Sequence, residues 1–176
     1  MTEVHQPLYA RNLYFPKCPY YTPIFQWILR LGLMALGTVG LSFFNVWVAV
    51  LYLIYSVGFF LWAMPVKHCQ HCYYSVKDTA IDSKTGKTIE TLLPLDKWKD
   101  SYLQKHVECG KKWGYNFLIL WFLPIFLIGI SLFLSFSVLA LIFLIGFIVV
   151  LAATLIHMKW KVCPTCAIME ECHASF

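Results

Sequence analysis

Two cysteine pairs of identical spacing carry the clearest chemistry in this chain: Cys69-Gln70-His71-Cys72 and Cys163-Pro164-Thr165-Cys166. A Cys-x-x-Cys turn aims two sulfurs at one centre. Two such turns complete the four-sulfur tetrahedron that zinc favours. Cys69, Cys72, Cys163 and Cys166 are therefore the expected ligands of one metal ion. Cys109, Cys172, His68, His71 and His173 stand close enough in the pattern to substitute for any one of them.

Each pair follows, within about five residues, a segment suited to lipid. Residues 31–66 and 113–158 contain no Asp, Glu, Lys or Arg. A helix crosses the roughly 30 Å hydrocarbon layer with about 20 residues, so each stretch is long enough for two crossings. Apolar residues make up 60% of the 176-residue chain and charged residues 13%, with a mean hydropathy of +0.66. Intrinsic disorder and an ordinary soluble enzyme are excluded on that composition. The expected fold is an all-α membrane protein of four helices in two hairpins. The helices are expected from Ile24 to Ser42, Val46 to Met64 (ended by Pro65), Tyr115 to Leu134 (kinked at Pro124) and Val138 to Met158. Arg30 lies one to two turns inside the first, from where its stem can carry the guanidinium back to the headgroups.

The organisation is then an N-terminal segment 1–22, a hairpin 23–65, a polar loop 66–114, a second hairpin 115–158 and a tail 159–176. Four crossings place both termini and the central loop on one side. All 14 basic residues fall in those parts, three before residue 31, nine in the central loop and two in the tail. The positive-inside rule makes that side cytoplasmic. The N-terminal segment lacks the apolar core and small-residue cleavage site of a signal peptide.

The central loop is expected to hold a short β-hairpin, with Tyr73–Val76 and Thr88–Thr91 flanking a turn at 82–87, and Gly86 supplying its positive φ. Gly86-Lys87-Thr88 lacks the first glycine of a phosphate loop. Beyond Pro94, Asp96 can cap a helix from Lys97 to Val107 whose Leu95, Trp98, Tyr102 and Leu103 share a side. Such a helix can lie in the headgroup plane or pack on the loop module. The nine lysines of this segment are offset by six acids, and nucleic acid is not an expected partner.

The two sulfur motifs together resemble a split zinc ribbon. They are similar also to the LITAF-type domain, in which an apolar segment separates a Cys-x-x-Cys from a second knuckle ending in Cys-Pro-x-Cys. Here the insert is two full crossings, and position 161 is Lys where that domain has His. The resemblance implies a cytoplasmic zinc site. Iron is the alternative, because rubredoxin also pairs Cys-x-x-Cys with Cys-Pro-x-Cys. Its knuckles continue with glycine, however, and here Tyr73 and Ala167 follow. Reduced cytosolic thiols disfavour a structural disulfide, and neither pair is followed by the His of a covalent haem motif.

No carboxylate pair, nucleophile arrangement or span-centre charge suggests catalysis. The expected function is a non-enzymatic scaffold or accessory subunit of a membrane complex, docking another membrane subunit or a cytoplasmic protein through a zinc-ordered module. The alternative is a membrane-anchored redox protein using iron or a dithiol.

Overall fold

A computed structural model describes residues 24–68, 71–81, 88–166 and 168. The chain is almost wholly helical, and four helices are long and apolar enough to cross a membrane. The side chains they leave uncovered are those of a lipid-facing surface: Phe133 is 94% exposed and Trp47 73%. Apolar exposure on that scale is not tolerated around a whole bundle in water. The protein is a multi-pass membrane protein.

Helix α1 spans Ile24–Ser42 and α2 Val46–Gly58. Between them Asn45 caps α2, its Oδ1 accepting from the amides of Trp47 (2.8 Å) and Val48 (3.4 Å). That cap satisfies two of the amides a helix start leaves open. Helix α3 spans Leu95–Leu134, and α4 spans Val138–His157 after a turn at 135–137. The turns at 43–45 and 135–137 lie where the sequence placed them.

Helix α1 is the central rod, packed against α2, α3 and α4. Its buried residues Gln26, Leu29, Arg30, Leu33, Gly37, Gly40 and Leu41 follow helical spacing. The two glycines mark close approaches. A Cβ on Gly37 would lie 2.8 Å from Cε1 of Tyr52, and one on Gly40 would strike the end of Ile128. Gly32 meets Val150 and Gly146 meets Leu36, so α1 and α4 run antiparallel over most of their length.

Tyr52 has a second task. Pro124 lies inside α3, fully buried, and it has no N–H to give the carbonyl four residues earlier, that of Leu120. The Tyr52 hydroxyl donates to that carbonyl from α2, at 3.1 Å. In lipid an open carbonyl finds no water, so a neighbouring helix supplies the bond. Tyr52→Phe should therefore destabilise the bundle by about 1–3 kcal/mol. Pro124→Ala returns an N–H to Leu120, and in that background the same substitution should cost much less. A double-mutant cycle on unfolding in mixed micelles reads the difference, and additive effects would exclude the pairing.

Four expectations are corrected. Pro65 does not end the second crossing. The backbone winds on as a π-helix, Phe59–His68. In these wider turns each N–H reaches back five residues, so one missing donor removes one bond without stopping the coil. Helix α4 likewise continues as a π segment, Met158–Val162, into a 3-10 turn at Cys163–Thr165.

The amphipathic stretch 97–107 and the third crossing are not separate helices. They form the single 40-residue α3, about 60 Å long, twice the hydrocarbon thickness. Gly110 and Gly114 only lower helix propensity, and no proline falls between Val107 and Tyr115. The amphipathic part is therefore a continuation of the crossing, and its Trp98 packs on the loop residues Val76 and Leu93.

Arg30 does not reach the headgroups. It is 3% exposed, its guanidinium carbon 5.1 Å from the ring centre of Trp27 and 5.7 Å from that of Phe60. Position 30 falls on the buried stripe of α1, and two aromatic faces take the charge there. One turn earlier, fully buried Gln26 bonds His157 through Nε2 and Nδ1 at 2.6 Å. Through these two residues α1 grips the ends of both crossings that lead to the cysteine pairs.

Finally, Tyr73–Ser75 is a 3-10 turn and not a strand. The strands that form are β1, Lys77–Ile81, and β2, Thr88–Leu92, antiparallel with Lys77 opposite Leu92 and Ile81 opposite Thr88. The expected turn at 82–87, Gly86 included, lies outside the described residues. Among the described residues no strand follows the second cysteine pair, and they do not support the zinc-ribbon β-hairpin.

Candidate metal centre

The polar end of the molecule is built on the free half of α3. Trp98 is fully buried there, with Val76, Leu93 and Ile168. The strand pair delivers two of these, since the amide of Leu93 reaches the carbonyl of Val76 at 3.5 Å, one step beyond the β1–β2 register. The Trp98 indole N–H donates to the carbonyl of His71 at 3.2 Å, which pins the residue before Cys72 to the rod. The Tyr73 ring meets Trp98 edge-on at 5.9 Å.

The two cysteine-bearing turns come to this same place. Cys72 and Cys166 both pack against the Val76–Leu93–Trp98–Ile168 core, and both also touch the adjoining core of the bundle, around Phe59, Phe60, Met64 and Tyr74. Each thus sits where the module joins the membrane helices. Local hydrogen bonds shape both turns: the amide and the hydroxyl of Ser75 donate to the carbonyl of Cys72 (2.9 and 2.7 Å), and the amide of Cys166 donates to the carbonyl of Cys163 (3.0 Å). The π segments explain how the turns arrive there. The segment Phe59–His68 continues α2 beside α3, and Met158–Val162 continues α4 into the turn at Cys163–Thr165.

Of the residues expected to bind metal, Cys72, Cys163 and Cys166 are half-buried and carry no disulfide. Cys69, Cys172 and His173 lie outside the described residues, and of His68 only the backbone is described. His71 is half-buried beside the rod. Cys109 is on α3, eleven residues from Trp98, or about 16 Å along the axis, and burial pushes its thiol up from the usual range, with Lys112 opposing. It does not join the pair at Trp98. Among the described residues no three His, Cys, Asp or Glu side chains are gathered in a way that holds a metal ion.

His106 was not singled out from the sequence. It falls four residues after Tyr102 and eight after Trp98, so it continues their row on one face of α3. Its ring lies 5.7 Å from that of Trp98, while the His71 ring stacks on Tyr102 at 6.3 Å. Burial lowers the pKa of both histidines; Lys105 lowers that of His71 further, and His71 that of His106. No protein-family model, curated protein or solved structure matches this chain.

Proposed function

We propose that the protein is a non-enzymatic membrane scaffold or accessory subunit whose cytoplasmic module is tied to its bundle by a structural zinc ion. The observation that carries this reading is the common location of Cys72 and Cys166, 94 positions apart in sequence, on one small core at the mouth of the bundle. Thiolates suit zinc, and the half-buried turns leave their sulfurs near the surface of that core. Cys72, Cys163 and Cys166 would hold the ion with Cys69 as the fourth ligand. Bound there, zinc supplies a cross-link between the exits of α2 and α4. The core around Trp98 is too small to order the module by burial alone.

The orientation follows from charge. All 14 basic residues lie on the module's side of the bundle or before it, so that side is cytoplasmic. Among the described residues the opposite side offers only the turns at 43–45 and 135–137, which favours the module as the surface for a partner protein.

Elemental analysis of the detergent-purified chain tests the ion. The expected result is about one zinc per chain, in a colourless protein, retained through dialysis. Visible sulfur-to-iron bands would replace the reading with the iron protein. No metal, together with an oxidisable thiol pair trapped by alkylation, would replace it with a dithiol protein. Co-purification in mild detergent tests the subunit role, and a chain that stays monomeric and alone counts against it.

A further inference from the structure

The rod carries a second group of metal-binding chemistry that does not depend on the cysteines. We propose that His71 and His106 form an exchangeable site for a divalent ion of the class that takes imidazole, zinc or nickel, on the face of α3 outside the membrane.

Two elements bring these residues together. His106 belongs to α3, and His71 to the segment that opens the first cysteine turn. Trp98 fixes both: its indole N–H holds the His71 carbonyl at 3.2 Å, and its ring lies against the His106 ring at 5.7 Å. Tyr102, between Trp98 and His106 in the same row, stacks on the His71 ring at 6.3 Å. Both imidazoles thus lie against neighbouring rings of one helix face.

The second observation is at the atom. Nδ1 of His106 is buried and makes no hydrogen bond. A ring nitrogen left that way costs about 1–3 kcal/mol, and a metal ion is one partner that removes the cost. The charged group of this face nearest the pair is Lys105, whose ammonium lies 5.8 Å over the Tyr102 ring. Water completes the coordination shell, so the ion exchanges where a four-sulfur ion does not.

The test uses the full chain in detergent, dialysed, with retained zinc counted first and nickel chloride then titrated by calorimetry. Retained zinc reports on the cysteines and nickel uptake on the histidines, so either reading can fail alone. One nickel per chain is expected. His71→Gln and His106→Gln should each weaken uptake by about tenfold or more, and His106→Cys, which keeps a donor, should restore it. A wild-type protein that takes no nickel, or a folded His106→Gln protein that takes it as well as wild type, overturns the proposal. A measurement on the unaltered chain guards against misfolding of the variants. Nickel should protect His71 and His106 from diethyl pyrocarbonate, and equal modification with and without nickel overturns the site.

Discussion

Replacing Cys72 and Cys166 together by serine should release the polar module while the four-helix bundle stays assembled. The bundle is held by its own contacts: the α1 stripe on α4, Tyr52 on Leu120, and the core around Leu41, Phe59 and Ile128. None of these depends on a sulfur ligand, although Cys72 and Cys166 rest against the edge of that core. Among the described residues the module has the small core around Trp98 and the β1–β2 pair, to which the proposed ion would add. In isolated zinc-finger peptides a structural zinc is worth about 10–16 kcal/mol of apparent binding energy, nearly all of it folding energy. Here α3 and the π segments already tether the module, so the loss is smaller, though larger than that of any single side chain. Hydrogen exchange should show residues 71–81 and 88–104 losing protection and residues 120–157 keeping it. A strong chelator added to the unaltered protein should reproduce the pattern. Unchanged protection in the double variant would show that the module holds without sulfur ligation and would remove the basis of the zinc reading.

Trp98→Ala should have the next largest effect, and it does not depend on any metal. The indole is fully buried, donates to His71, and meets Tyr73 and His106 edge-on. Truncating a buried Trp costs about 3–5 kcal/mol. A loss of 3 kcal/mol is about a hundredfold in the local opening equilibrium. Cys72 and Cys166, which pack on the same core, should be alkylated faster by about that factor under native conditions. Trp98→Phe keeps most of the ring and gives up only the bond to the His71 carbonyl. Its cost should be about 1 kcal/mol, and the acceleration about fivefold. Alkylation unchanged in both variants would mean that Trp98 does not close the core over the cysteines.

The comparison of Arg30 with the charge-free stretches shows where sequence reading stops. The absence of charge from 31–66 and 113–158 is a property of composition, and lipid imposes it on any fold. The crossings were therefore legible, as were the turns at Asn45 and at 135–137, which rest on local capping and turn chemistry. Whether Arg30 escapes to the headgroups or is buried depends on which face of α1 meets its neighbours. That face is set by α2, α3 and α4 together, through Gly37, Gly40 and Phe60.

Pro65 and Pro124 make the same point from the backbone. Each was read by its local effect, an ending and a kink. The chain passes through the first by π winding, and beside the second Tyr52 supplies a bond from another helix. The continuity of α3 across residues 108–115 was equally hidden, because the change from charged to apolar composition there marks the edge of the bilayer and not the end of a helix.

The sequence by itself determined four apolar rods, their two short turns, the side that carries the charge, and the residue types able to bind a metal. These follow from transfer energies and local backbone rules, which act residue by residue. Tertiary structure alone decided that Cys72 and Cys166 share one core, that His71 comes to the Trp98–Tyr102 face of α3, and that Arg30 rests between two rings. Those are meetings across tens of residues, and they depend on how the rods pack and how far each extends beyond the lipid.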